Sequence, residues 1–341
     1  MSAITGVIGD DASSTLPLTT RIALTDVAPV DIMRVVRLGL MGAYLVGYLW
    51  WLRSKGLPLD RISVAIALGI FLACAFVGKP ARQLGILVID VVLYALMWFA
   101  YEMTRGGADQ IGLPLQLGAV RNIDRFMFFG NDPNVVLQNH FWGSSVRWYD
   151  QVASTTYYTH FVFPVIAMAA LWATSHRQWA RFMKRFATLL AIACAMFVVL
   201  PTVPPWMAGD RRYHYNVLPP LQRQTWRGFY DLGFKGFVKS WQDALDWGNA
   251  VAAMPSLHAS FALLVPAFFL PWIKPRWLKV VVLCFPVIML VSLVYLAEHW
   301  VIDGLVGWAI VGGSFWMWNR IEARQRSVKA NLARVALGVT P

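Results

Sequence analysis

Charge is scarce in this chain: Asp, Glu, Lys and Arg make up 14% of 341 residues, against 58% apolar side chains. So little polar surface cannot cover a soluble domain of this size, which excludes a soluble globular protein and a disordered one alike. Cysteine is almost missing too. Cys74, Cys194 and Cys284 fall far apart inside apolar runs, with no spacing of a zinc site or a disulfide framework, and read as small core residues. Internal repeats and low-complexity tracts are absent. The first 30 residues hold Asp10, Asp11, Ser13, Ser14 and Thr15 where a secretory signal needs its apolar centre, so no cleavable targeting peptide is expected.

Long apolar runs are abundant instead. Segments of roughly 18 to 22 residues, enough to cross a ~30 Å hydrocarbon core, occur at about 35–52, 62–78, 84–101, 155–174, 186–204, 253–272, 279–297 and 301–319. The expected fold is an all-α polytopic membrane helix bundle of about eight transmembrane spans. Segments 103–154 and 205–250 are rich in aromatics rather than Ser or Gly, and read as structured insertions, not linkers.

Orientation follows from basic residues beside short loops. Three groups should face the cytoplasm: His176, Arg177, Arg181, Lys184 and Arg185; Lys274, Arg276 and Lys279; and Arg320, Arg324, Arg326, Lys329 and Arg334. Both termini are then cytoplasmic, and both aromatic insertions lie outside. Arg53, Lys55 and Arg61 violate the pattern locally. The net charge of +12 is thus a topology signal and not a nucleic-acid footprint, although the basic residues of 211–239 fall on the far side.

The stretch "AMPSLHASFALL" places His258 about one turn inside the far end of span six. Span seven returns to that side at His299 in "SLVYLAEHWVIDGLVG", so two antiparallel passes bring the histidines to one depth. Asp303 follows His299 by four residues, on the same helical face, and Ser256 points at the same region. A lone histidine there would most simply cap a helix or bond a neighbour. Two on adjacent spans with a carboxylate mark a working site, because ionisable groups in a bilayer are costly. A carboxylate-oriented histidine is a good nucleophile or base, and a second histidine can protonate a leaving group. Zinc held by the two histidines and Asp303 is the chemical rival, without a supporting HExxH or CxxC spacing.

These two stretches resemble the second and third signatures of the type 2 phosphatidic acid phosphatase superfamily, with Ser292, His299, Asp303 and Gly307 at the third signature's spacing. The resemblance implies a catalytic membrane domain over 103–320 with a six-helix core, after a cytoplasmic tail at 1–30 and accessory helices at 31–102, and before a basic cytoplasmic tail at 321–341. It implies His299 as a nucleophile that becomes phosphohistidine, Asp303 as its orienting partner, His258 as general acid, and Ser256 with nearby N–H groups as phosphate ligands. It implies no cofactor and no metal. Leu293 stands where the third signature has arginine, and the first signature is absent. With "PTVPPW", "YLAEHW" and "IDRFMFFGNDPNVVLQNHFW", these departures look like the inositol-phosphotransferase branch, which includes inositol-phosphorylceramide synthases.

A phosphoryl group in flight needs fixed cations. Arg211 and Arg212 are the first candidates, since arginine binds two oxygens at once. Arg223 with Arg227, and Lys235 with Lys239, repeat at i,i+4 and read as the basic face of an amphipathic helix lying on the membrane. Arg121 and Arg125 share a helical face beside Phe126, Phe128 and Phe129; Asp124, Asn131, Asp132 and His140 either shape a headgroup pocket or cap and turn the chain. His160 lines the cavity or makes an interhelical hydrogen bond. Partners are the membrane, a lipid phosphoester donor and a lipid or polyol acceptor. Attack by water would make the protein a phosphatase, and attack by an acceptor hydroxyl a phosphotransferase, in the cell membrane with the site outside. The reading from another class is a lipid transporter or binding protein that never turns over.

Overall fold

A computed structural model describes residues 31–55, 61–108, 110–230, 232–245 and 251–336. The expected tail at 1–30 and the side chains of Arg53, Lys55 and Arg61 lie outside the described residues. The elements are helices, and no β-strand occurs among the described residues. In chain order they are α1 (Ile32–Lys55), α2 (Arg61–Phe76), α3 (Ala81–Gly106), α4 (Gly118–Met127), α5 (Pro133–Phe141), α6 (Trp148–Thr174), α7 (His176–Val199), α8 (Pro205–Gly209), α9 (Arg227–Tyr230), α10 (Lys235–Leu245), α11 (Leu257–Phe269), α12 (Arg276–Tyr295) and α13 (Val301–Ala336).

A helix occupies most of each of the eight expected spans, but residues 200–204 and 253–256 are irregular. Six described helices are long and apolar enough to cross a membrane; of the other two, α2 has 16 residues, and Leu257–Trp272 is a shorter apolar helix. Ile32 to Trp51 with Arg61 to Leu84 form one compact unit, and the described chain from Gly85 onward belongs to the other. Within the first, Tyr44 donates to the Ala67 carbonyl at 2.8 Å and Arg37 to the Val77 carbonyl at 3.2 Å. The second holds every residue considered below.

In that larger unit α11 is the central helix, packed on α6, α12 and α13. Its outward neighbours leave Val162, Val165 and Ile166 of α6 and Val280, Val287 and Val291 of α12 exposed, as expected where lipid is the solvent and helices associate by close packing. The close approach is explicit at Gly307, where a Cβ would come within 2.8 Å of the Ser256 carbonyl oxygen. Phe182, Phe186, Leu189, Phe261, Leu264 and Val311 form one buried cluster. A second, of Val203, Trp206, Met207, Met254, Ala297 and Trp300, supports the site.

The expected basic helix face at 223–227 does not form. Arg223 precedes α9 in irregular chain, while Arg227 is buried, over the Trp142 ring at 4.3 Å and donating to the Gly143 and Ser145 carbonyls. The i,i+4 pattern was read without the turn that breaks it. Lys235 and Lys239 do share α10 and are exposed.

Candidate active site

The site is built where α11 starts and where the α12–α13 turn ends. Ser256 is the N-cap of α11, its hydroxyl accepting from the Ala259 N–H at 3.3 Å, which satisfies one of the free donors of a helix start. The Ser256 N–H donates to the Asp303 carbonyl at 3.0 Å, so the α11 N-terminus is tied directly to the first turn of α13. His258 follows within that first turn.

The other histidine is fixed from three sides. The Asp303 carboxylate lies 3.3 Å from His299 Nδ1 and accepts the Trp300 N–H at 3.0 Å. From α5, Asn134 donates to the Val294 and His299 carbonyls at 2.8 and 3.1 Å, and Gln138 donates to the Tyr295 carbonyl at 2.9 Å. From α4, the Asp124 carboxylate accepts the N–H groups of Val301 and Ile302 at 2.8 and 3.0 Å. Two free donors at the start of α13 are thereby satisfied by a residue far away in sequence, with negative charge at the positive end of the helix dipole. Burial, against those two hydrogen bonds, pushes the Asp124 carboxyl up to about 6.

The structure brings together Ser256, His258, His299 and Asp303. The two imidazole centroids are 5.6 Å apart, with the rings inclined at 57°. Ser256 and Asp303 are fully buried, and His299 is 8% exposed. Three buried polar atoms at this place have no hydrogen-bond partner: His258 Nε2, Asp303 Oδ1 and His160 Nδ1. Unpaired buried polar atoms cost about 1–3 kcal/mol each, and three at one place single it out as the candidate functional site.

His160 is closer to the chemistry than its sequence position suggested. Its ring stacks on His258 with centroids 3.9 Å apart, and Tyr157, one turn earlier on α6, stacks on His258 at 4.6 Å. The signal was available: two polar rings at i,i+3 on an otherwise apolar span share a face. Behind them Trp241 of α10 packs edge-on against Tyr157 and Tyr158, and its indole N–H donates to Thr225.

Arg211 and Arg212 are not gathered with these residues. Arg212 is 79% exposed and held by both carboxylate oxygens of Asp210, and Arg211 is exposed beside it. Instead Arg223, which was assigned to the surface, pairs with Glu298, the residue before His299, at 2.8 Å and lies 4.2 Å from the Trp206 ring centroid. Arg121 is held by Asp132 in two bonds of 2.7 Å. Among the described residues no group of three His, Cys, Asp or Glu is placed to hold a metal ion.

A side chain that can form a covalent bond to phosphorus, a carboxylate behind it and a second imidazole facing it form a constellation suited to phosphoester transfer. No curated protein and no solved structure matches the chain. Its sequence does match the PAP2 superfamily over residues 119–317, the stretch that contributes every one of these side chains, and the protein belongs to that superfamily.

Proposed function

We propose that this protein is a lipid phosphotransferase that moves a phosphate-containing headgroup, inositol phosphate being the candidate, between lipids through a phosphohistidine. Superfamily membership supports a lipid phosphatase or phosphotransferase type of activity. The observation that carries the assignment of roles is the Asp303–His299–His258 arrangement, with the Nδ1 of His299 engaged by Asp303 and its ring centroid 5.6 Å from that of His258.

In this reading the His299 Nε2 lone pair attacks phosphorus and the bond to the leaving oxygen breaks. Asp303 fixes the tautomer that makes Nε2 the nucleophile and balances the positive charge that develops on the ring. His258 gives the leaving oxygen its proton. An acceptor hydroxyl then returns a proton to His258 as its oxygen attacks phosphorus and the N–P bond breaks. Ser256, by capping α11, aims the free N–H groups of that helix start at the phosphate oxygens. Arg211 and Arg212, exposed on the solvent side with Arg212 held by Asp210, meet the incoming headgroup before it reaches His299.

The lean towards transfer rests on "PTVPPW", "YLAEHW" and Leu293 in place of arginine. Purified protein given labelled phospholipid, with and without candidate acceptors, tests it: a new phosphorylated lipid supports transfer, free phosphate or a soluble phosphoester makes the protein a hydrolase, and no turnover with any donor favours a binding protein. We place the site on the outer side of the cell membrane. The basic start of α7 meets Asn319 and Glu322 of α13, about 28 Å from Asp303 at ~1.5 Å per helical residue, so the site and the basic clusters occupy opposite ends of one membrane-spanning helix. Cysteines placed at 211–216 should react with an impermeant thiol reagent in intact cells, and those at 176–185 should not.

A further inference from the structure

Glu298 is an odd neighbour for a phosphate site. A carboxylate one residue from His299, in a mostly buried position, repels an incoming phosphate dianion unless a cation accompanies it. That cation is Arg223, and the geometry of the pair is lopsided. Nε donates to Oε1 at 2.8 Å, whereas the Nη2 contact to Oε2 is 3.5 Å, a marginal bond by length. Nη1 donates to none of the described residues. The guanidinium lies over the Trp206 ring; the Trp206 backbone N–H donates to the Ala297 carbonyl at 3.0 Å, and its ring packs edge-on against Tyr213. The aromatic face therefore sets the guanidinium plane, and the edge of the group can change partner without the group moving.

The other arginines are differently placed. Arg212 is closed by Asp210 and faces solvent, and Arg227 is spent on two backbone carbonyls and near Asp150. Leu293, where the superfamily's third signature has arginine, is fully buried in an apolar cluster with Met289 and Leu296.

We propose that Arg223 is the cation that takes up the substrate phosphate and that Glu298 is its resident competitor, occupying the guanidinium edge until phosphate displaces it. The pair then sets affinity as a balance: Arg223 supplies the charge-assisted bonds, and Glu298 weakens them enough for the phosphorylated product to leave. This rests on the reading of His299 as phosphoryl acceptor, and deepens it by assigning the phosphate its positive partner.

The two members of an ordinary structural ion pair fail alike when either is removed, whereas here they must fail in opposite directions. Inorganic phosphate is titrated into the purified full chain by ³¹P saturation transfer, in a His299→Ala background. Arg223→Gln should weaken binding roughly 10- to 100-fold, as for the loss of a charge-assisted hydrogen bond. Glu298→Gln should tighten it roughly 3- to 10-fold, as for the removal of a nearby like charge at high effective dielectric, a gain that misfolding cannot produce. The double variant should still bind more weakly than the His299→Ala parent, because the loss of the Arg223 bonds exceeds the relief of the Glu298 charge. If Glu298→Gln weakens binding as Arg223→Gln does, the pair is a brace and the proposal fails; if neither changes it, phosphate binds elsewhere and the proposal fails. Turnover measured on His299→Ala separates the two ideas: residual full activity there sinks the nucleophile reading while leaving opposite-signed binding effects intact.

Discussion

The two ends of α13 bury carboxylates in different company. At one end Glu322 accepts from Arg181 at 3.0 Å and from Arg185 at 3.1 Å, and Arg185 also donates to the Asn319 side-chain oxygen at 2.7 Å and the Arg181 carbonyl at 2.8 Å, leaving only its Nε without a partner. At the other end Asp303 has one oxygen engaged by His299 and the Trp300 N–H, and its second oxygen has no partner. The same helix thus carries a nearly satisfied charge network, which locks α7 to α13, and an incompletely satisfied one, which faces two histidines. The first is what a bundle needs to hold its register. The second leaves a buried carboxylate oxygen and two imidazole nitrogens without hydrogen bonds from the chain itself.

That contrast breaks if the wrong end controls chemistry. The largest effect should come from the incomplete end: His299→Ala should abolish turnover whatever the leaving group, and Asp303→Asn should lower it by at least ~10³-fold through lost orientation and charge balance, with thermal unfolding little changed. Steady-state rates beside melting curves check this. Next, His258→Ala should lower turnover of a lipid donor by ~10²–10⁴-fold, the usual worth of a general acid. With an aryl phosphoester, whose phenolate leaves unprotonated, it should release about one equivalent of phenol, as expected when only the first step survives, and stall with acid-labile phosphate on His299. A burst from the His299 variant, and none from the His258 variant, would reverse the two roles.

The satisfied end should behave the opposite way. Glu322→Ala leaves Arg185 buried without its carboxylate, which costs about 3–5 kcal/mol in stability, while the rate per folded molecule stays near wild type. Chemical denaturation in detergent beside active-site titration distinguishes the two; loss of specific activity without loss of stability would erase the comparison.

The smallest effect concerns Asp124, which caps α13 just ahead of Asp303. Its folded pKa, about 6, is above the ordinary 3.8, so the folded state binds the proton more tightly than the unfolded state. The resulting stability is fully present below about pH 4 and is lost as pH rises through about 6, a change on the order of 3 kcal/mol. Asp124→Asn, which keeps a carbonyl acceptor for the cap, should flatten that part of the stability profile between pH 4 and 6. An unchanged slope would show that another group carries it.

The sequence could be read as far as it was because its two strongest signals are local. Hydrophobic length marks helices regardless of what they pack on, and α6, α7, α12 and α13 appear where the apolar runs stand. His299 and Asp303 could be paired from sequence because four residues is one turn, and Ser256 could be placed near His258 because only one residue separates them in the chain. Arg223 and Arg227 show the limit of the method. Their i,i+4 spacing carries meaning only inside a helix, and the chain between them is not one.

What the sequence determined alone, then, is the solvent the protein must face, the helices that face it, and the local pairing of nucleophile candidate and carboxylate, because each depends on spacing along one strand of chain. Tertiary structure decided the rest. Only packing could stack His160 on His258, cap α13 with Asp124 from α4, brace the turn before His299 with Asn134, and set Arg223 against Glu298. Each of these joins residues 75 to 177 positions apart or rings on separate helices, and contacts of that kind are set by which faces meet across the bundle and not by any period a single segment can display.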